Sequence, residues 1–260
     1  MPETLTVEED IVTRITLERP AAGNAITEQL ASECIAALEG LADDVRVVIL
    51  EGAGNHFCTG GDLDEMDPAG GAEDPTEQLR YISENGHEII RTVRGLDQPV
   101  IAKVHGHAVG AGFNLALACD IVVAANDAQF AQIFTRVGLH PDCGGTYLLV
   151  EEVGTKAACE LIFTGSKIDA AEGYELGFIN HIEPAGELED RVIGLAESIA
   201  AGPPVAISLA KESIYDNRDG SLDDALSREA LAQMMCLSTR DFAEGVAAYQ
   251  EGREPSFEGR

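Results

Sequence analysis

Asp142 sits in the run Phe134-Thr-Arg-Val-Gly-Leu-His-Pro-Asp142-Cys-Gly-Gly-Thr146, an acid in a turn rich in Pro and Gly behind an apolar stretch. Two further segments, Phe57-Cys-Thr-Gly-Gly-Asp62 and Gly110-Ala-Gly-Phe-Asn114, carry the glycines that let a backbone expose its N–H groups. One carboxylate and two such loops match the needs of proton transfer beside a carbonyl that becomes an enolate: a base for the proton and preorganised donors for the oxygen. Gly110-Ala-Gly follows a β-like run and opens a helix, so it offers unpaired N–H groups and the positive end of the helix dipole. It lacks the third glycine and the ribose-binding acid of a dinucleotide fingerprint. Asp62 is expected to accept backbone N–H bonds and hold its own loop.

Other chemistries find less support. His105-x-His107 would set two imidazoles on one strand face, but no third ligand stands at convincing spacing. There is no Gly-x-Ser-x-Gly elbow and no Walker loop.

The elements that must position these residues alternate. Residues 4–18 read as a strand pair turning at Glu8-Glu9-Asp10, and Thr27 caps a helix running to about Leu41. Val45–Glu51 reads as a buried strand. Pro68–Pro75 reads as an exposed, flexible segment. A helix over about 76–95, a strand at 99–105, a helix at 112–119 and a strand at 121–124 follow. Asp169-Ala-Ala-Glu172 forms a capping box for a short helix. Beyond Gly186 the pattern is helical, over about 188–201, 203–215, 222–236 and 239–251. Strands interleaved with helices predict an α/β layer fold, with a core over 1–200 and a helical region over 201–260.

The charge narrows the partners. The 260 residues include 46 acidic and 17 basic side chains, a net charge of −29, with Lys only at 103, 156, 167 and 211. Nucleic acid and anionic membrane are poor partners for such a surface. Acids spread through folded segments suit molar salt, where the Debye length shrinks to about 3 Å; a salt-accumulating cytoplasm is the expected setting. Six cysteines without a C-x-x-C pair read as buried free thiols of a reducing compartment. The N-terminus lacks the apolar stretch of a signal peptide, and no run approaches the ~20 apolar residues of a membrane span.

An ordered set of motifs covers essentially the whole chain: Leu17-Glu-Arg-Pro20 with Asn24, Phe57-x-x-Gly-Gly-Asp-Leu63, Gln98-Pro-Val-Ile-Ala102, Gly106-x-Ala-x-Gly-Ala-Gly-x-x-Leu-Ala116, Cys119-Asp-Ile121, Phe130-x-x-x-Phe134, Gly138-x-x-Pro-Asp-x-Gly-Gly-Thr146, Leu161-x-x-Thr-Gly165, and Asp241-Phe-x-Glu-Gly245. Together they resemble the enoyl-CoA hydratase/isomerase (crotonase) superfamily. The resemblance implies a spiral of ββα turns and a helical C-terminal part that packs on neighbours in a trimer or hexamer. It also implies a coenzyme A thioester as substrate, with no separate cofactor. The oxyanion hole maps to the N–H groups of Gly61 and Ala111, with Gly60, Asp62, Leu63 and Gly112 as the surrounding binding residues.

This sequence departs from the family's hydratases, whose two glutamates match Asn114 and Phe134 here. Asp142 instead matches the acid of several family isomerases, including those of phenylacetate catabolism. A related dehalogenase uses an aspartate here as nucleophile, with a histidine that His87 matches; its tryptophan is replaced by Phe134. The basic residue of the first motif is replaced by Ala21-Ala22-Gly23, so no phosphate ligand is assigned. The expectation is an enoyl-CoA isomerase with Asp142 as acid and base and Phe134 as an apolar wall. The alternatives are a hydratase with a relocated acid, an acyl-CoA hydrolase or dehalogenase with Asp142 as nucleophile, and a CoA-binding module without catalysis.

Overall fold

A computed structural model describes residues 3–66, 75–218 and 220–260. Its spine is a sheet of six strands in the order β1-β2-β3-β4-β6-β9: β1 Leu5–Glu8, β2 Val12–Leu17, β3 Val47–Gly52, β4 Val100–Val104, β6 Ile121–Ala125 and β9 His181–Glu183. Only the β1–β2 pair is antiparallel; every later pair is parallel. The composition of β3, Val-Val-Ile-Leu-Glu-Gly, fits its central place, since each of its residues is buried and a parallel strand covered on both faces needs a near-continuous apolar run. A smaller sheet pairs β5 (His107–Val109) with β7 (Gln129–Ala131) in parallel and β7 with β8 (Lys167–Asp169) antiparallel.

Helices make the crossovers. Thr27 caps α1 (Glu28–Glu39) by accepting from Leu30 N, and Leu30, Ala31, Cys34 and Leu38 form its buried stripe. Next come α2 (Leu63–Met66) and α3 (Pro75–Gly95), the latter packing on α1. The eight residues of α4 (Ala111–Ala118) are all buried, so this short helix is apolar on nearly every side and lies inside the molecule. α5 (Gly145–Thr164) carries a break at Gly154, and α6 (Ala170–Leu176) is capped by Asp169. The chain ends in α7 (Leu188–Ala200), α8 (Pro204–Asp216), α9 (Leu222–Leu237) and α10 (Arg240–Glu251). The sequence of ββα turns is that of the expected α/β spiral. No single helix among the described residues is long and apolar enough to cross a membrane.

Three sequence expectations meet a different outcome. The strand foreseen over 99–105 stops at Val104, because Gly106 takes φ +57° and turns the chain before β5 begins. His105 and His107 therefore do not share a strand face: His105 Nε2 meets Gly54 O at 3.0 Å, while His107 stacks on His56 with ring centroids 4.6 Å apart. The capping box at Asp169 is half-formed, the aspartate accepting from Glu172 N. The segment over 68–75 lies outside the described residues, apart from Pro75, which begins α3.

Candidate active site

The two glycine-rich loops meet because backbone ladders lace them together. Cys58 N donates to His107 O at 3.1 Å and Val109 N returns to Cys58 O at 3.0 Å, tying the loop after β3 to the strand that feeds α4. Ile26 N to Gly60 O (2.7 Å) and Asp62 N to Ile26 O (3.0 Å) clamp the same loop from the other side. Glycine is required at two points. Gly60 has φ +98° and a Cβ there would press on Val109 O; at Gly112 a Cβ would stand 2.2 Å from Cys58 O. Both substitutions would push apart the loop and the start of α4.

This lacing takes up Gly60 O and Asp62 N, Gly110 N donates to Ala131 O, and the Gly61 and Ala111 N–H groups are left without an acceptor among the described residues. Ala111 is the first residue of α4, one of the orphan donors at a helix start, and Gly110 before it (φ 55°, ψ −123°) aims that peptide as only glycine can. A Cβ on Gly60 would lie 3.5 Å from Ala111 N, so the two loops stand side by side. Asp62 holds its loop as expected from the sequence: it accepts from Asp64 N at 3.1 Å and pairs with Arg19 at 2.8 Å.

Asp142 reaches the same place from the turn before α5. Cys143 (φ 47°) and Gly144 (φ 73°) are consecutive left-handed residues that reverse the chain there, the former at a cost of about 1 kcal/mol or more for a residue with a Cβ. The Asp142 Oδ1 is buried without a hydrogen-bond partner among the described residues. Burial raises the carboxyl above its usual range, and the Cys143 S–H and the nearby His87 charge offset only part of that rise. Burial and the Asp142 carboxylate in turn push the Cys143 thiol up, so it stays protonated.

One cavity of about 370 Å³ is lined by Gly60, Gly61, Asp62, Leu63, Ala111 and Asp142 together. Phe134, buried, forms part of its wall against Gly110, and Gly86 on α3 contributes the wall beside Cys143. Gly112 does not line it; its role is the close contact with Cys58 O. Asn114 lies behind the wall, fully buried. Its Nδ2 donates to Asp142 O at 2.8 Å and its Oδ1 accepts from Gln132 Nε2.

The lining thus brings the Gly61 and Ala111 N–H groups and the Asp142 carboxylate into one largely apolar chamber. Residues 8–260 match the family model described as enoyl-CoA hydratase/isomerase. The chain belongs to that family. It is 36% identical to a probable enoyl-CoA hydratase of Rhodobacter capsulatus over 246 residues, covering 95% of this chain and 94% of the relative. It is 35% identical to the 1,2-epoxyphenylacetyl-CoA isomerase of Escherichia coli over 259 residues, covering 98% and 97%. The crystal structure of an enoyl-CoA hydratase from Bacillus anthracis superposes with a TM-score of 0.94 at 36% identity, covering 99% of this chain and all of that one. The family's crotonase fold is thus present throughout.

Several residues that build the site carried little signal of their own. Arg19 and Asn24 stood in the first motif, and their work is to brace the donor loop: Arg19 through Asp62, Asn24 by donating to Ala53 O and His56 O at 2.9 and 2.7 Å. Gln132 was an unspecified position inside the Phe130-x-x-x-Phe134 motif, and only its place two residues before Phe134 pointed to the site.

Proposed function

We propose that this enzyme isomerises an unsaturated acyl-CoA thioester through an enolate. The thioester oxygen takes the Gly61 and Ala111 N–H groups. Asp142 removes a proton from C4 or C2 and returns it at the other carbon, moving the double bond without adding water. The observation that carries this reading is the state of the acids in the cavity. Asp142 has an unpartnered Oδ1 and a raised affinity for a proton, both suited to a group that takes a proton up and gives it back. The position of one hydratase glutamate holds Asn114, whose amide is bonded on both atoms, and the other holds Phe134, an apolar part of the cavity lining. Asp62 also lines the cavity but is held by Arg19, so an amide and a phenyl ring at the two glutamate positions leave Asp142 fitting a shuttle better than the paired carboxylates that hydration calls for.

The test uses 2-enoyl- and 3-enoyl-CoAs with mass spectrometry of the products. Isomerisation is expected without a hydrated product, and Asp142→Asn should lower turnover at least ~10²-fold while acyl-CoA binding persists. Hydroxyacyl-CoA formed at about 10 s⁻¹, the pace of a typical enzyme, would favour the hydratase; solvent oxygen found in Asp142 would favour the nucleophile.

The reading extends to assembly. Ile214, Leu226 and Met234 on α8 and α9 are 64%, 52% and 67% exposed, an apolar face suited to a neighbouring subunit. A trimer or hexamer is expected in molar salt. It should loosen as the salt falls and the screening length grows to about 30 Å at 0.01 M, because association concentrates like charge. Light scattering across a salt series checks this; a monomer in molar salt would refute it.

A further inference from the structure

We propose that Asn114 and Gln132 form a positioning strut that fixes the Asp142 turn relative to the oxyanion donors. The proposal rests on the reading of Asp142 as the proton shuttle.

The chemistry of one carbonyl sets the orientation of both amides. Asp142 O can only accept, so the Asn114 atom facing it at 2.8 Å is the NH₂ group. Asn114 Oδ1 then faces Gln132 and requires a donor, which Gln132 Nε2 supplies at 2.5 Å. Gln132 Oε1 is left buried with no partner among the described residues, and Gln132 is only 1% exposed. An apolar residue at 132 would avoid that orphaned acceptor, so the glutamine is explained by its donor.

The same two residues are tied to the donor loops through the backbone. Asn114 N donates to Gly110 O at 3.1 Å, and Gly110 N donates to Ala131 O at 2.8 Å, next to Gln132. A closed ring therefore runs from Gly110, which aims the Ala111 N–H, through Asn114, Gln132 and Ala131 back to Gly110, and the Asp142 carbonyl hangs from it on the Asn114 amide. Gly145 admits the strut, since a Cβ there would lie 2.5 Å from Asn114 Nδ2. A carboxylate at 114 has no proton to give the Asp142 carbonyl at neutral pH. The asparagine thus turns a position that supplies an acid in the family's hydratases into one that sets geometry.

The experiment measures isomerase kcat, KM and their pH profiles for Asn114→Ala, Gln132→Met and the double variant, well below their melting temperatures. Asn114→Ala should lower kcat about 10-fold or more, in line with the ~10²-fold that a 1 Å misplacement can cost, and leave KM within about threefold. Its acid limb should move to lower pH as the freed turn lets water reach the carboxylate; His87, His140 and Cys143, which also face Asp142, are unchanged. Gln132→Met keeps the side-chain volume and should show a smaller loss of the same kind. The double variant should be no slower than Asn114→Ala alone, because Gln132 acts through Asn114. A kcat within about twofold of wild type in either single variant, losses that multiply, or a lower kcat with an unmoved acid limb would each overturn the strut. If Asp142→Asn retains activity, it is the shuttle reading that fails; if Asp142→Asn is inactive while Asn114→Ala is fully active, only the strut fails.

Discussion

Asp120 and Asp142 are both largely sheltered aspartates, and the protein treats them in opposite ways. Asp120, between α4 and β6, is saturated: its carboxylate takes Lys211 Nζ at 2.8 Å, Tyr215 OH at 2.6 Å and Val100 N at 2.6 Å. Lys211 is itself 7% exposed and spends its other protons on Gln98 O and Val93 O. Burial and the Asp120 charge push the Tyr215 phenol up, so it stays a donor. At Asp142 one oxygen has no partner, and burial is only partly offset. A saturated carboxylate fastens α8 to the sheet; an under-bonded one in an apolar chamber is left with a reason to accept a proton.

Exchanging the two roles by mutation should give the largest effects. Asp142→Asn should remove at least ~10² of the rate without lowering the stability of the fold. Lys211→Met should do the reverse. Removing one partner of a buried ion pair costs about 3–5 kcal/mol, which for a domain of this size lowers Tm by roughly 10 °C. The rate per folded molecule should stay within about twofold, since neither Lys211 nor Asp120 lines the cavity. Differential scanning calorimetry beside turnover at about 20 °C, below the melting range of mesophile domains, separates the outcomes. A Lys211→Met variant that loses its rate at unchanged Tm would dissolve the contrast.

The contrast also marks what the sequence could disclose. Alternation and caps exposed the large elements: the strand pair, the Thr27-capped helix and the four C-terminal helices lie within a few residues of their expected places. The three-residue strands β5, β7, β8 and β9 are too short for a period of two to register, and α5 was hidden by glycines at 144, 145 and 154 that punctuate its sequence like a loop. That Asp142, Gly61 and Ala111 line one cavity was legible because motif glycines and an acid behind Pro141 mark backbone geometry. Asn114 was visible only as a missing glutamate. Its bonds to Gln132 and Asp142 join positions 18 and 28 residues away, a separation at which local pattern carries no information.

The smallest effect is the most specific test of why Asp142 differs from Asp120. Burial raises Asp142 in the folded state above its ordinary aspartate value. The native protein therefore keeps the proton at pH values where the unfolded chain has released it. Stability falls as pH rises through the interval between the two values and remains lower at neutral pH. The amide introduced by Asp142→Asn does not titrate, so that variant escapes the loss. Its Tm relative to wild type should be higher at pH 7 than at pH 4.5, the advantage shrinking as wild type is protonated. Any constant difference between amide and acid cancels, because only the slope with pH is compared. Thermal melts of both proteins at a fixed molar salt concentration, from pH 8 to pH 4.5, decide it. An advantage that grows on acidification would mean that Asp142 is stabilised in its charged form, as a saturated carboxylate would be, and that its readiness to take a proton has another source.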